Sequence, residues 1–239
     1  MTGFKHIRAL TFDCYGTLID WESGIVAALA PLAARAKHPL SRDDILNAHA
    51  CHESHQQAQT PTMRYADLLA IVYKRLGEEW AVPTTHSEAA AYGQSVKVWP
   101  AFPDSADALR RLKAHFQLVI LSNVDNASFE GSRARLGVDF DAVFTAEDVG
   151  AYKPSDRNFV AMIDGLAGRG IKKGAILHTA ESLFHDHVPA RRHGLERCWI
   201  FRRHDTPGFG ATMPPAERPP VDHTFPSMAA FAAAVEDAA

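Results

Sequence analysis

Short β-favouring runs alternate with helical segments along most of this chain, and that alternation limits the fold more than any other feature. The runs are "IRALTFD" (7–13), "QLVILSN" (117–123), "DAVFT" (141–145), "GAILHTA" (174–180) and "RCWIF" (197–201). Helical segments between them begin at capping residues such as Asp104 and Asn126, and one ends at Gly137. The sequence therefore predicts a Rossmann-like, doubly wound α/β core with a mostly parallel sheet.

The stretch after the first strand interrupts this alternation. From Trp21 to about Trp99 the sequence reads as successive helices without a strand, and "MRYADLLAIVYKRLGEEW" (63–80) is strongly amphipathic. Ser41 begins one helix with the pattern of a capping box. We therefore predict an α/β core domain, residues 1–20 and 99–239, and a helical cap domain, residues 21–98.

Composition limits the partners and the compartment. A net charge of −3 with 22% charged residues gives no basic excess, so a nucleic acid is not expected as a ligand. No apolar run approaches the ~20 residues that cross a bilayer. The N-terminus also has no apolar signal region, so we expect a cytoplasmic protein without a membrane partner. Three scattered cysteines, Cys14, Cys51 and Cys198, are expected to be small buried residues rather than disulfide or metal ligands.

Polar side chains stand where several of the predicted strands end. Asp13 ends the first strand, Ser122 and Asn123 end the second, Lys153 follows the third, and Asp186 lies in the loop after the fourth. Ligands bind at the carboxyl ends of strands in doubly wound sheets, because side chains converge there. We therefore expect these groups to meet in one crevice.

The motifs that contain these residues occur in a recognisable order. "FDCYGTL", "LSN", "YKPS" and "ESLFHD" together resemble the haloacid dehalogenase superfamily over nearly the whole chain. The resemblance implies that Asp13 is a nucleophile, that Ser122 orients the substrate and that Lys153 steadies the nucleophile. It also implies that acidic residues of the loop with Glu181 and Asp186 complete the site.

Position 15 distinguishes two chemistries within that superfamily. Most members are Mg²⁺-dependent phosphatases with a second Asp there as general acid and base, whereas this chain has Tyr15. A phenol with a pKa near ~10 is a poor replacement for that carboxylate. "DCYGTL" is similar instead to the L-2-haloacid dehalogenase branch, in which the Asp displaces halide from Cα with inversion and water hydrolyses the ester. We therefore predict hydrolysis of small 2-haloalkanoic acids to 2-hydroxy acids through an ester on Asp13, without a cofactor.

Supporting roles in catalysis follow from charge and from the resemblance. Lys153 is expected to keep Asp13 ionised and to offset the charge of an anionic substrate. Asn123 is expected to support the nucleophile or the oxyanion of the ester's tetrahedral intermediate. The resemblance assigns activation of the hydrolytic water to Asp186.

Recognition of the substrate is assigned to a second group of residues. Ser122 and the backbone N–H groups near Cys14 and Tyr15 are expected to hold the substrate carboxylate. The cap is expected to close over the crevice and exclude water during displacement. The resemblance also suggests a homodimer.

The chain departs from the dehalogenase pattern at several positions. Phe159 stands where the family has a Tyr after the motif lysine, and Glu181 and Leu183 replace small polar residues of the last motif. The arginine that binds halide in the family's cap has no clear counterpart. Arg42 and Arg64 are candidates by residue type alone.

Two other functions stay open at this stage. The first is a phosphatase that binds Mg²⁺ through Asp13, Glu181 and Asp186, since Mg²⁺ prefers hard oxygen ligands. The second is a binding module without catalysis on the same fold.

Histidines suggest a third kind of site. His49, His52 and His55 are spaced three apart on a predicted helix, which could indicate zinc, but no fourth ligand is evident. We expect these residues to lie on a polar surface. The same expectation covers His185 and His187, which flank Asp186 and could tune its pKa.

Overall fold

A parallel sheet lies at the centre of the protein. In residues 3–238, which the computed structural model describes, the strands are β1 (Ala9–Phe12), β2 (Gln117–Ser122), β3 (Ala142–Thr145), β4 (Ile176–Ala180), β5 (Glu196–Ile200) and β6 (His223–Phe225). Their order in the sheet is β3-β2-β1-β4-β5-β6, and each neighbouring pair is parallel. The predicted doubly wound parallel α/β sheet is confirmed. Strand β6 was not predicted, because it has three residues and none is fully buried.

Helices connect the strands. Five lie between β1 and β2, and the first four are α1 (Trp21–Ala33), α2 (Arg42–Gln59), α3 (Tyr65–Glu79) and α4 (His86–Gln94). The later helices are α5 (Ser105–Lys113), α6 (Asn126–Leu136), α7 (Ala146–Val149), α8 (Asp156–Ala167), α9 (Val188–Arg192) and α10 (Met228–Asp237). A π-helical turn, Leu183–His187, precedes α9. The predicted helical insertion thus corresponds to α1–α4, while its status as a separate cap domain stays a prediction.

Local sequence signals set the ends of several helices. The Ser41 hydroxyl accepts a hydrogen bond from the Asp44 N–H, and the Asp44 carboxylate accepts one from the Ser41 N–H, which is the predicted capping box. Helix α6 ends at Gly137, whose φ of 60° lies in the left-handed region that glycine tolerates best. The Ser227 side chain caps α10.

Apolar side chains fill both the sheet region and the helical insertion. The residues of β1 are completely buried, as expected for a central strand covered on both faces. Helix α3 buries a stripe at helical spacing that includes Leu68, Leu69, Val72 and Leu76. It approaches α4 closely, since a Cβ at Gly93 would lie 2.1 Å from a backbone oxygen of α3.

Two sequence expectations concern burial and membranes. Cys14 and Cys198 are buried as predicted, but Cys51 is exposed, because it lies on the outward face of α2. Within residues 3–238, every helix falls short of the length and apolar character needed to span a bilayer.

Candidate active site

A buried cluster of charged side chains lies where β1 and β4, two neighbouring strands of the sheet, end. The Lys153 ammonium lies 2.9 Å from Oδ1 of Asp13 and 2.8 Å from Oδ1 of Asp186. It also donates to the backbone oxygen of Leu121 at 2.9 Å, so its three N–H bonds are all used. The second Asp13 oxygen accepts a hydrogen bond of 2.8 Å from the Thr17 hydroxyl. Three of the predicted site residues therefore form one bonded group.

His178, a residue of β4, extends the contacts of this charged cluster from Asp186 to Thr11. Nε2 of His178 lies 3.0 Å from the same Asp186 oxygen that Lys153 contacts, and Nδ1 of His178 lies 2.9 Å from the Thr11 hydroxyl. Phe159 packs edge-on against the His178 ring with centroids 5.3 Å apart. Phe159 thus replaces the family's tyrosine with an apolar contact to the group that supports Asp186.

Burial and charge together set the pKa values of the cluster. Burial raises the pKa of Asp13 and the nearby Asp186 adds to that effect, while the Lys153 charge opposes it. Burial alone would also raise the pKa of Asp186, but the charge of Lys153 and the hydrogen bond to His178 hold it well below its usual range. Burial alone would lower the pKa of Lys153, yet the two carboxylates raise it. The ammonium therefore stays charged, and Asp13 is the more basic carboxylate.

Asn123 fixes the position of Lys153. Its side-chain oxygen accepts a hydrogen bond of 2.6 Å from the Lys153 N–H, and its amide donates one of 3.1 Å to the Lys153 carbonyl oxygen. The Asn123 amide nitrogen keeps one further N–H for another acceptor. Asn123 is thus joined to the nucleophile cluster through the backbone of Lys153.

The Tyr15 side chain is not suited to act as an acid or a base. Its hydroxyl lies 2.7 Å from the Ser132 hydroxyl, and its ring packs edge-on against Trp99. Burial raises the pKa of Tyr15 well above 10. The phenol therefore stays neutral at ordinary pH and cannot act as a carboxylate base would.

A small cavity opens beside Asp13. It has a volume of about 30 Å³, which leaves room for about two water molecules. One side, which we call the core wall, is formed by Asp13, Tyr15, Asn123, Val124, Lys153, Ser182, His185 and Asp186. A second part of the lining, which we call the helical wall, comes from α1, α2 and α3 and consists of Trp21, Glu53, Gln57 and Tyr65. Thr212, from the loop between β5 and β6, completes the lining.

Two of the predicted substrate-binding residues do not line this cavity. Ser122 is 1% exposed, and its hydroxyl has no hydrogen-bond partner among residues 3–238. Cys14 is completely buried. Its backbone N–H and that of Tyr15 make no hydrogen bond to another described residue.

Comparison with known proteins identifies the family. The model for haloacid dehalogenase-like hydrolases matches residues 7–179, well over half of the chain. The protein belongs to this family. Among curated proteins, the (S)-2-haloacid dehalogenase of Pseudomonas sp. (strain YL) is 29% identical over 202 residues, which cover 82% of this chain and 84% of that protein. The predicted superfamily is thereby confirmed.

Solved structures share the fold of this haloacid dehalogenase-like hydrolase. A defluorinating L-2-haloacid dehalogenase superposes with a TM-score of 0.78 at 20% identity, covering 96% of this chain and 95% of that one. The L-2-haloacid dehalogenase of Xanthobacter autotrophicus, solved with chloropropionic acid covalently bound, superposes with a TM-score of 0.78 at 18% identity, covering 98% and 100% of the two chains. The resemblance in fold therefore extends over nearly the whole chain.

The arginine candidates for halide binding in this hydrolase lie elsewhere. Arg42 is largely exposed and faces Glu22 at 3.7 Å, while Arg64 is largely exposed and faces Glu147 at 3.6 Å. Neither lines the cavity beside Asp13. Each arginine thus faces a carboxylate outside this cavity, and a role of either one in halide binding stays a prediction.

The helical wall was missed at the sequence level. Helix α2 buries His49, Glu53, Gln56 and Gln57, which share one face of the helix. Polar residues on a helix are expected to face water, so nothing marked these as internal. Their spacing of four, three and one residues is the signal that could have identified a polar buried stripe.

The histidines of α2 differ in burial. His49 is completely buried instead of lying on a polar surface, because its Nδ1 contacts the Tyr92 hydroxyl at 2.9 Å. Burial lowers the pKa of His49 to about 3. His52 is partly exposed and contacts Glu79 at 2.6 Å, and His55 is exposed, as predicted.

His185 and His187 are also buried, contrary to the prediction of a polar surface, because the π-helical turn folds them inward. Burial lowers the pKa of each to about 4. His187 uses Nε2 to contact the Ala180 carbonyl oxygen at 2.9 Å. His185 lines the cavity, and its Nε2 has no hydrogen-bond partner among residues 3–238.

Glu181 follows β4 directly but does not line the cavity of Asp13. It borders two neighbouring cavities, one of which contains Trp199 and the other Trp21. Burial raises the pKa of Glu181 to about 8, and Glu22 adds to that rise. Glu181 is thus placed beside the site instead of within it.

The side chains of the cluster fit a divalent cation poorly. The Lys153 ammonium bridges Asp13 and Asp186 where a metal would bind both, and Thr17 contacts the other oxygen of Asp13. Tyr15 supplies a neutral phenol in place of a third carboxylate. Within residues 3–238, no group of three or more His, Cys, Asp or Glu side chains is arranged to hold a metal ion. The donor set therefore does not match that of a Mg²⁺-dependent phosphatase.

Proposed function

We propose that the protein hydrolyses small 2-haloalkanoic acids to 2-hydroxy acids through an ester on Asp13. The observation that carries this proposal is the state of Asp13 and Tyr15 together. Asp13 is a buried carboxylate held between Lys153 and Thr17 beside a cavity, and Tyr15 is neutral and bonded to Ser132. Such a site has a nucleophile but lacks the second carboxyl group that phosphatases of the superfamily carry at position 15.

The first step forms a carbon–oxygen bond. An oxygen of the Asp13 carboxylate attacks Cα of the haloacid, and the carbon–halogen bond breaks with both electrons leaving on the halide. Burial makes the carboxylate more basic, and Lys153 keeps it ionised in the presence of an anionic substrate. We propose that the unbonded backbone N–H of Tyr15, which lines the cavity, holds the substrate carboxylate, and that Ser122 and the N–H of Cys14 reach it once the cavity widens to admit the substrate.

The second step returns the enzyme to its starting state. Water attacks the carbonyl carbon of the ester, which releases the 2-hydroxy acid and restores Asp13. Oδ2 of Asp186 has no hydrogen-bond partner among the described residues, so it is the oxygen that can accept a bond from this water. Asn123 holds Lys153 in place while the charge on position 13 changes.

The similar proteins support the same reaction. Several curated relatives are (S)-2-haloacid dehalogenases, and one structural neighbour contains chloropropionic acid covalently bound. We further propose that residues 21–98 act as a closing cap, that no cofactor is needed, and that the protein works in the cytoplasm as a homodimer.

Trapping the ester tests this proposal. A two-carbon haloacid should add about 58 Da to the peptide that contains Asp13, because CH₂COOH replaces a carboxylate proton. In a single turnover in ¹⁸O water, the label should enter the protein first, since water attacks the ester and not Cα. Phosphatase chemistry gives neither result.

Asp13→Asn should lower halide release by at least about 10⁴-fold, as losses of catalytic nucleophiles do. Asp164→Asn is the matched control, because Asp164 is exposed on α8. Thermal unfolding should show that both variants fold. Halide release that survives Asp13→Asn, or no release by the wild type from any 2-haloacid, contradicts the proposal.

A further inference from the structure

The proposed displacement requires a group that can stabilise the departing halide. The halide leaves Cα on the side opposite the attacking oxygen of Asp13, because the displacement inverts the carbon. Asp13, Lys153 and Asp186 form one bonded group of the lining, and we infer that the halide departs toward the part of the lining that lies outside this group, the helical wall. No lysine or arginine of residues 3–238 lies on the helical wall, so a cation is absent where the halide would collect.

Glu53 is the one carboxyl group on the helical wall. It is 4% exposed and lines the cavity from α2. Its Oε1 accepts a hydrogen bond of 2.6 Å from the Tyr65 hydroxyl. The nearest basic group is Nε2 of His49 at 3.9 Å, and the low pKa of His49 keeps that ring neutral. Among the residues that the structure describes, Glu53 is therefore a buried carboxyl without a charged partner.

A buried carboxyl without a cation is more stable as the neutral acid, since moving an unpaired charge out of water is costly. Burial raises the pKa of Glu53 to about 7, although the hydrogen bond from Tyr65 opposes this rise. Because Oε1 accepts the Tyr65 hydrogen bond, the proton of the neutral acid lies on Oε2. Glu53 can thus donate a hydrogen bond into the cavity.

We propose that Glu53, as the neutral acid, donates the hydrogen bond that stabilises the halide leaving Cα. The inference rests on the proposed dehalogenation and names the leaving-group site of that reaction. Asp13 forms the bond to Cα, the carbon–halogen electrons stay with the halide, and the proton stays on Glu53. A neutral donor suits this cavity, because it binds the anion without a second cation beside Lys153.

The groups that face Glu53 do not change charge near neutral pH. Burial raises the pKa values of Tyr65 on α3 and Tyr92 on α4 well above 10. Burial also raises the pKa of Tyr152, which precedes Lys153, and lowers that of His49 on α2. Across the cavity, Asp13 must be ionised for attack, so its titration affects the rate in the opposite direction to that of Glu53. A loss of rate as pH rises through neutrality therefore reports Glu53.

The pH dependence of kcat/KM for release of chloride from a 2-chloro acid is the first test. The wild type should lose activity as pH rises past about 7, because kcat/KM reports the free enzyme. Glu53→Gln should remove this decline, since an amide keeps the shape and donates a hydrogen bond at every pH. Glu78→Gln removes an exposed carboxylate from α3 and should keep the wild-type profile. Glu181→Gln should also keep it, and a decline that disappears there instead overturns the proposal.

Leaving-group dependence is the second test. Glu53→Ala should slow ester formation on Asp13 by about 10- to 100-fold, the usual effect of losing a hydrogen bond to an anion. The loss should be largest for fluoride and smallest for bromide, since fluoride is the strongest acceptor. Equal losses for all halides, or a Glu53→Gln profile that matches the wild type, overturn the role of Glu53.

The two proposals fail in distinguishable ways. If bromoacetate never alkylates Asp13 in the wild type, the proposed dehalogenation fails. If the ester forms at equal rates and with equal pH profiles in the wild type, Glu53→Gln and Glu53→Ala, only the role of Glu53 fails. Thermal unfolding of Glu53→Gln establishes that the fold is intact, because the amide can still accept the hydrogen bond from Tyr65.

Discussion

The two walls of the cavity manage buried polar groups in different ways. On the core wall, the Lys153 ammonium bonds to both Asp13 and Asp186 and favours their charged forms. On the helical wall, the Tyr65 hydroxyl is the one hydrogen-bond partner of the Glu53 carboxyl among residues 3–238, and burial favours the neutral form of Glu53. The first arrangement suits a nucleophile, which must be ionised, whereas the second suits a donor, which must keep its proton.

The difference shows how one small cavity can perform opposite tasks. A single ammonium is enough to set the charge of the core wall, since its three N–H bonds reach both carboxylates and a backbone oxygen. Without a comparable cation the helical wall stays neutral, so an anion formed there meets no competing negative charge. We infer that the reaction proceeds from the charged wall toward the neutral one.

Lys153→Met should have the largest effect, because it removes the charge that defines the core wall. Two buried carboxylates would lose their cation, which should lower the unfolding free energy by about 3–5 kcal/mol near neutral pH. The folded-state pKa values of Asp13 and Asp186 would then lie above their unfolded values. The loss should therefore shrink as pH falls and both carboxylates become protonated.

Activity should fall by at least about 10³-fold in Lys153→Met, since the nucleophile loses its charge partner. Denaturant unfolding at several pH values and halide release measure the two effects. Lys172→Met is the matched control, because Lys172 is exposed before β4. A destabilisation that does not change with pH would contradict the role given to the ion cluster.

Sequence reasoning predicted the core wall far better than the helical wall. Asp13, Asn123 and Asp186 each follow a strand, and parallel strands bring their carboxyl ends to one edge. Their positions along the chain therefore imply their proximity in space. Lys153 lies several residues beyond β3, and the motif order was needed to include it.

The helical wall could not be derived in the same way. Its members come from α1, α2 and α3, and their meeting depends on how these helices pack. Glu53 and Gln57 are polar residues on a helix of low mean hydropathy, for which solvent exposure is the default expectation. The hydrogen bond from the Tyr65 hydroxyl offsets part of the cost of burying Glu53. Sequence periodicity does not predict this bond, because the two residues lie twelve positions apart on different helices.

Asp186→Asn should have the next largest effect and separates the two chemical steps on the core wall. An amide at this position is a poor base, so hydrolysis of the ester should slow by about 10²-fold or more while its formation continues. The ester on Asp13 should therefore accumulate in steady state, which mass spectrometry can measure. His185 is the alternative base, because its neutral ring lines the cavity. Accumulation of the ester in His185→Ala but not in Asp186→Asn would show that His185, and not Asp186, is the base that activates the hydrolytic water.

Tyr15→Phe should have a small effect, since the phenol has no acid or base role. The variant loses the hydrogen bond to Ser132, which should lower the unfolding free energy by about 1 kcal/mol. Turnover should change by less than about fivefold, against the ~10²- to 10⁴-fold loss expected for a general acid or base. Ser132→Ala breaks the same bond from the other side and should give a similar result. A much larger loss of turnover in Tyr15→Phe than in Ser132→Ala would show that the Tyr15 phenol acts as a general acid or base.

Arg42→Ala and Arg64→Ala should have the smallest effects and sharpen the contrast between the walls. Both arginine side chains are largely exposed and lie 3.7 and 3.6 Å from Glu22 and Glu147, and ion pairs of exposed side chains contribute little. Turnover and inhibition by added chloride should therefore stay within about twofold of the wild type, the range typical of surface substitutions. Weakened chloride inhibition in either variant would mean that an arginine enters the cavity when substrate binds. The neutral helical wall would then gain a cation, and the distinction between the two walls would hold only for the empty enzyme.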